Sequence, residues 1–291
     1  MFHWCGHLLK VMLFALATLI VAGCNGLFFY PQKELRSNPV AEKFAPQDVY
    51  FPTTDGLTLH GWFLASREPQ GTVVVFHGNA ENLTTHVNSV LWLVKEGFNV
   101  FIIDYRGYGR SEGAPTVEGI MLDGRAALDT VYSLNGVDPG RVAVLGQSIG
   151  GAVAIHTVAT FPRKTVIGAV IVDGTFTGFR SIAREKIGSL FLTWPLQYPL
   201  SWLFTDDFNP LEWISRVSPV PLLILQGRED PIIPERHGHL LYEGALQPKT
   251  LWLTPSPGHI QSFADAELRA RVVNFLRDAF SGNQRKGEKI R

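Results

Sequence analysis

Cysteine is almost missing from this chain: Cys5 and Cys24 are the only two among 291 residues. Both precede residue 25, so no disulfide framework staples the body of the protein. An excess of charge of either sign is also lacking. Lys and Arg together number 26, as do Asp and Glu, for a formal net charge of zero. That leaves no basic field to attract nucleic acid. No continuous apolar run reaches the roughly 20 residues of a membrane-spanning helix. Internal repeats and low-complexity segments are absent as well. What remains is 46% hydrophobic and 18% charged, a globular composition at a length that suits one large core. The expectation is a monomer built on a single domain.

The first 32 residues carry one charged side chain, Lys10, ahead of the stretch "VMLFALATLIVAGC" (11–24). A cation, a short apolar run and then small residues make a secretory signal. Its end, Val21-Ala22-Gly23-Cys24, resembles the lipobox of bacterial lipoproteins. That resemblance implies a signal peptide over 1–23 and acylation of Cys24 as the first mature residue. It also implies a place in the bacterial cell envelope, outside the cytoplasm and anchored in a lipid membrane. An uncleaved apolar anchor and an ordinary signal peptide are the alternatives. Residues 24–47, with prolines at 31, 39 and 46 and no clear period, read as a tether that packs at most partly on the domain. Extended, it reaches on the order of 75 Å.

From residue 48 onwards, strand-like and helix-like segments alternate. Strands are expected at 48–52, 57–65, 72–77, 98–104, 141–146, 167–173, 221–227 and 249–254. The turn signal Asp55-Gly56 makes the first two an antiparallel hairpin. The later ones are continuous apolar runs, the mark of parallel strands covered on both faces. Helices are expected at 117–132, where apolar residues recur at i, i+3, i+4 spacing, and at 149–162, which is apolar nearly all round. A last helix starts at "SFAD" (262–265), where Ser262 and Asp265 form a capping-box pattern. Such alternation predicts an α/β domain over 48–280 with a doubly wound, mostly parallel sheet, followed by a flexible tail at 281–291. The interval between the strands at 167–173 and 221–227 is too long for a plain crossover, which places a small helical cap at about 175–217.

Two stretches fit Gly-x-Ser-x-Gly: "GRSEG" (109–113) and "GQSIG" (146–150). A nucleophilic serine of this kind sits where a buried strand turns sharply into a helix. Ser148 follows "RVAVLG" directly and precedes the apolar helix, so it meets the requirement. Ser111 is separated from its strand by "YRGYG" and is followed by Ala-Pro, so it reads as a loop serine.

A serine hydroxyl needs an adjacent base, itself oriented by a carboxylate. In this architecture the acid and then the histidine follow the serine in sequence. His259, in the loop "SPGHI" after the last strand, is the candidate base. His237 and His239 fall on a helical stretch and read as packing or surface residues. Asp230, just past strand 221–227 in "QGREDPIIP", is the candidate acid, with Asp173 at the end of the preceding strand as its rival. Asp104 precedes the serine and reads as a loop-pinning residue. Backbone N–H groups of Asn79, in the turn "HGNAEN" (77–82), and of Ile149, at a helix start, are the candidate oxyanion hole.

The motifs "FHGNAEN", "DYRGYGRSEG", "GQSIGG", "GREDPIIP" and "PGHI" resemble the α/β-hydrolase superfamily over residues 48–280. Within it they are closest to fungal bud-emergence-suppressor-like and serine aminopeptidase-like hydrolases. The resemblance implies an eight-stranded sheet, serine chemistry on ester, thioester or amide bonds, and no metal or organic cofactor. It also makes "DYRGYGRSEG" a structural loop. The β-branched Ile149 departs from the family habit in a way expected to tighten the pocket floor. Together these readings give a membrane-anchored serine hydrolase acting on a small-molecule or acylated substrate. The alternative is a non-catalytic ligand-binding lipoprotein on the same scaffold. Trp194, Tyr198, Trp202 and Phe204 in the cap line an acyl pocket, rest on a membrane, or only pack the cap onto the body. Asp206 and Asp207 are candidates for holding a free amine.

Overall fold

Val74 and Phe76 join one buried cluster while Val73 and Val75, from the same strand, join another. Side chains alternate across a strand, so a run that is apolar at every position demands cover on both faces. The computed structural model, which describes residues 29–188, 194–204 and 206–288, supplies that cover. The segment read as a signal peptide and Cys24 lie outside the described residues.

Eight strands form one sheet: β1 (Gln47–Pro52), β2 (Thr58–Leu64), β3 (Gly71–Phe76), β4 (Phe98–Asp104), β5 (Val142–Gln147), β6 (Ile167–Asp173), β7 (Leu222–Gly227) and β8 (Lys249–Thr254). Their spatial order is β8-β7-β6-β5-β3-β4-β2-β1. Every neighbouring pair is parallel except those of β2, which runs against both β1 and β4. This is the α/β architecture that the alternating segments predict. Helices α1 (Leu91–Lys95) and α6 (Ala266–Glu288) cover one face, burying Leu93, Val272 and Leu276. Helices α2 (Val117–Val131), α3 (Ile149–Thr160) and α5 (Arg236–Gly244) cover the other, burying Ile120, Leu128, Val153, Val158 and Leu241. The register sets Gln147 opposite Asp173, Asp173 opposite Leu225, and Gly227 opposite Thr254. The carboxyl ends of four strands therefore meet along one rim.

Several segments differ from expectation. The chain before β1 is packed on the domain from Phe29 onwards. Phe29 is buried in the core, Tyr30–Pro31 pair in parallel with Ala80–Glu81, and Asn38 caps a short helix at Pro39–Glu42. After Gly78 and Asn79 the chain therefore forms this small strand before its helix at Leu83–His86. The last helix is capped by Asp265, whose carboxylate accepts from the Glu267 amide at 2.8 Å. Ser262 does not cap it. It lies in a 3-10 turn and turns inward, because a buried carboxylate at Asp173 takes its hydroxyl. Helix α6 runs on to Glu288, through much of the stretch read as a flexible tail. Between β6 and β7 all described elements are helical: α4 (Phe179–Gly188), then short helices at Gln197–Ser201 and Pro210–Trp213, with 3-10 turns at Trp194–Leu196 and Ile214–Val217.

The turn from β5 into α3 is the tightest point of the fold. A Cβ on Gly150 would run into the carbonyl oxygen of Phe76 in β3, and one on Gly146 into the carbonyl of Gly150. Both obstacles are backbone, so no rotamer change relieves them. Gly150→Ala is expected to cost about 3 kcal/mol or more. Gly282→Ala, on an open face of α6 with nothing within 4 Å, is expected to gain roughly 0.5–1 kcal/mol of helix stability. Urea denaturation of both variants beside the wild type checks the contrast.

Candidate active site

Gln147 ends β5, and the next residue, Ser148, takes φ +56° and ψ −119°. A non-glycine residue in such a conformation costs of order 1–3 kcal/mol and persists only where its surroundings hold it. Here they do. The Ser148 amide donates to the Asp173 carbonyl at 2.8 Å, and the Ser148 carbonyl accepts from the Gly151 amide at 3.0 Å and the Thr175 hydroxyl at 3.3 Å. Ile149 opens α3, so its N–H has no acceptor within the helix. Ser148, Ile149, Gly78, Asn79 and His259 all line one cavity of about 710 Å³.

His259 stands in the loop after β8, followed by Ile260 at φ +51°. Its Nδ1 lies 2.8 Å from Asp230 Oδ2. The other carboxylate oxygen, Oδ1, accepts from the amides of Ile232 at 2.8 Å and Ile233 at 2.9 Å. Burial works against the Asp230 charge, but the hydrogen bond from His259 and those two amides outweigh it and hold the carboxyl below its ordinary value. An ionised carboxylate only accepts, so it fixes the proton of a neutral His259 on Nδ1 and leaves Nε2 as the basic nitrogen. The Gly174 backbone packs close against this pair: a Cβ there would lie 3.3 Å from both Asp230 Oδ2 and the His259 ring.

The rival acid is engaged elsewhere. Asp173 is buried and accepts from the Ser262 hydroxyl at 2.6 Å and the Gln147 amide at 3.2 Å. Burial pushes its carboxyl up to about 6, although Ser262 and Gln147 both pull downward. His237 is buried, accepting at Nδ1 from the Thr177 amide (3.1 Å), with Nε2 3.2 Å from Glu185. His239 is exposed beside Glu235. The Ser111 hydroxyl is buried, donating to the Asp104 carbonyl at 2.7 Å and accepting from the His60 amide at 2.9 Å. Asp104 accepts at Oδ1 from the Leu83 amide at 2.8 Å, with His77 Nε2 at 3.2 Å.

The support behind the Gly78–Asn79 loop was not legible in sequence. The Tyr105 hydroxyl donates to the His77 carbonyl at 2.9 Å, and the Tyr108 hydroxyl donates to the Asn79 carbonyl at 2.5 Å. Arg106, between the two tyrosines, is clamped by Asp55 and Asp123. The loop containing Ser111 and its Gly-x-Ser-x-Gly stretch is thus a buttress for the loop at the cavity. His86 also lines the cavity, stacked on His77 at 4.8 Å. Burial holds it neutral, down to about 3, and its Nε2 donates to the Ala80 carbonyl. Its only sequence signal was proximity to "HGN".

Of the cap aromatics, Phe204 lines the cavity, Tyr198 and Trp202 are exposed, and the Trp194 side chain lies outside the described residues. Asp206 is ion-paired with Arg180, and the Asp207 carbonyl accepts from the Trp213 indole at 3.1 Å. Neither lines the cavity. Among the described residues its wall is mostly apolar, with Phe176, Ile182, Leu200 and Ile233. Lys186 is on it, and no carboxylate is. Nor does any cluster of three or more His, Cys, Asp or Glu able to hold a metal ion occur among the described residues.

Comparison with known proteins agrees with this architecture. The model of the family described as serine aminopeptidase, S33, matches residues 67–207. The chain belongs to the α/β-hydrolase family. It is 34% identical over 263 residues to the uncharacterized protein YfhR of Escherichia coli strain K12, covering 87% of each chain. It is 32% identical to the α/β-hydrolase domain-containing protein WAV2 of Arabidopsis thaliana, covering 74% of this chain and 70% of that one. The protein bem46 of Schizosaccharomyces pombe is 29% identical over 73% of this chain and 71% of its own. Among solved structures, an esterase from Pyrococcus furiosus superposes with a TM-score of 0.69 at 25% identity, over 86% of this chain and 97% of the esterase. Membership of this hydrolase family supports hydrolase activity.

Asp173 gives a pH-dependent test of the buried rim. Its folded-state value of about 6 lies above the ordinary 3.8, so the folded state binds a proton that the unfolded chain has released. The stabilisation is complete below pH 4 and lost as pH rises through 6, on the order of 2–3 kcal/mol in all. Asp173→Asn removes this dependence. The stability of wild type minus that of the variant should therefore fall between pH 4 and pH 7, read by denaturant midpoints at each pH.

Proposed function

We propose that this chain is a membrane-anchored serine hydrolase that acts on ester or thioester bonds of apolar acyl groups. The observation that carries the reading is the 2.8 Å contact between His259 Nδ1 and Asp230 Oδ2, on a cavity shared with a serine held at φ +56°. In the proposed cycle Ser148 Oγ attacks the acyl carbon while His259 Nε2 takes its proton. The amides of Asn79 and Ile149 hold the oxyanion. The protonated imidazole, steadied by Asp230, then gives its proton to the leaving group, and the bond to that group breaks. Water, activated by the same nitrogen, releases the acid and restores the serine.

The cavity favours acyl esters and thioesters over aminoacyl amides. A free amine wants a carboxylate near the mouth, whereas the described wall is apolar and includes Lys186. The lipobox-like Val21–Cys24 supports acylation at Cys24 and a place on the outer side of a bacterial membrane, with the chain acting as a monomer.

A fluorophosphonate probe should label wild type and fail on Ser148→Ala. Asp230→Asn should lower kcat on a p-nitrophenyl acyl ester by on the order of 10³- to 10⁴-fold, with aminoacyl amides much poorer substrates than acyl esters. Absence of both labelling and steady turnover would leave a ligand-binding lipoprotein. Metabolic labelling with palmitate should be lost in Cys24→Ala.

A further inference from the structure

The point at which the N-terminal segment joins the body has a consequence for how the cavity is presented. Phe29 is buried in the core, and Tyr30 both lines the cavity and is 61% exposed. Tyr30–Pro31 pair with Ala80–Glu81, immediately after the Gly78–Asn79 loop. Tyr30 therefore sets the N-terminal end of the described chain at the lip of the cavity. Cys24 precedes Phe29 by five residues, which even fully extended span at most about 18 Å. The headgroup layer of one leaflet takes up about 5–8 Å of any such leash. An anchor at residue 24, or an apolar stretch ending there, holds the lip within about 10–13 Å of the lipid surface.

The cap, which also contributes Leu200, Leu203 and Phe204 to the cavity wall, has the composition of a membrane-contacting surface. Trp202 is 73% exposed and Tyr198 59%. Leu203 and Ile232 are exposed as well as lining the cavity, so apolar side chains of its wall also face the outside. The guanidinium of Arg184 lies 5.4 Å from the centre of the Tyr198 ring, and Lys186 stands at the cavity. Two carboxylates of the cap are ion-paired: Glu185 with Arg236 at 2.6 Å, and Asp206 with Arg180. Tryptophan, tyrosine and aliphatic side chains flanked by cations are what an anionic interface selects.

We infer that the cap rim and the Tyr30 lip dock on an anionic lipid bilayer, so that the cavity opens onto the membrane and acyl chains enter it from the lipid. The inference rests on the proposed membrane anchorage, and its kinetic consequence rests on the serine hydrolase reading as well. Soluble esters would reach Ser148 from any orientation of the body, but acyl groups embedded in the bilayer only from this one.

The test uses the full chain bound to vesicles of phosphatidylglycerol and phosphatidylcholine. An environment-sensitive dye is attached through Trp202→Cys in one sample and through Leu246→Cys in another. The signal from Cys5 and Cys24 is subtracted using the unsubstituted chain. Leu246 is a fair control: it is 59% exposed and precedes β8, at the end of the sheet opposite Ser148 and His259. The dye at 202 should shift to the blue and be quenched by spin-labelled lipid, while the dye at 246 behaves as in water. In parallel, Trp202→Glu should lower turnover of a vesicle-embedded acyl ester at least fivefold and leave a monomeric short-chain ester unchanged.

Two labels that respond alike on bound vesicles overturn the docking surface and leave the anchorage standing. Failure of the chain to sediment with vesicles removes anchorage and docking surface together. Should light scattering show a dimer that Trp202→Glu dissociates, with the dye at 202 beyond reach of lipid, the patch is a contact between copies and the inference is wrong. A chain inert toward both esters whose labels still separate supports the docking surface and sinks only the hydrolase reading.

Discussion

The site depends on one steric constraint: strand β5 must turn into helix α3 with backbone touching backbone. Gly146 meets the Gly150 carbonyl and Gly150 meets the Phe76 carbonyl, so the space a Cβ needs is already filled. Only that closeness lets the residue between them sit at φ +56° with its amide bound to the Asp173 carbonyl. The strain at Ser148 is supported by the whole parallel sheet, whose register brings β3, β5 and β6 to the same rim. A looser turn would relax the serine into ordinary backbone and bury its side chain in the helix start.

Three aspartates at the same end of the sheet show how local donors divide similar residues between different roles. Asp104 ends β4 and ties down the start of the helix at Leu83. Asp173 ends β6 and, with Ser262 and Gln147, locks neighbouring elements together in full burial, which raises its carboxyl. Asp230 lies just beyond β7, less deeply buried, and accepts from two amides and an imidazole, which keeps it ionised. Of Asp173 and Asp230, the carboxylate that faces His259 is the one whose environment favours charge. The cost of burying Asp173 is offset by hydrogen bonds that hold the rim in register.

Around this rim the cavity wall comes from chain segments far apart in sequence. The cap gives Ile182, Leu200 and Phe204, the β7 side gives Ile233, and the N-terminal strand gives Tyr30. Because Tyr30–Pro31 pair beside the Gly78–Asn79 loop, the N-terminal segment meets the body on the side on which the pocket opens. Tyr105 and Tyr108 brace that loop from behind, so the Gly-x-Ser-x-Gly stretch at Ser111 serves it as scaffold.

The sequence by itself determined what depends on neighbouring residues: strand and helix periodicity, the tight Gly-x-Ser-x-Gly turn, and the Gly/Pro loops that follow the strands at Asp230 and His259. Those features give the α/β order and name Ser148, because local sterics and period are written within a few residues. Between the candidate acid Asp230 and its rival Asp173, tertiary structure brings Asp230 to His259, while Ser262 and Gln147 take Asp173. It also decided that Ser262 binds Asp173 rather than capping a helix, and that the segment read as a partly packed tether enters the core at Phe29 and lines the cavity at Tyr30. Such outcomes turn on directional hydrogen bonds and packing between residues 29 to 89 positions apart, and no local pattern encodes a partner that far away.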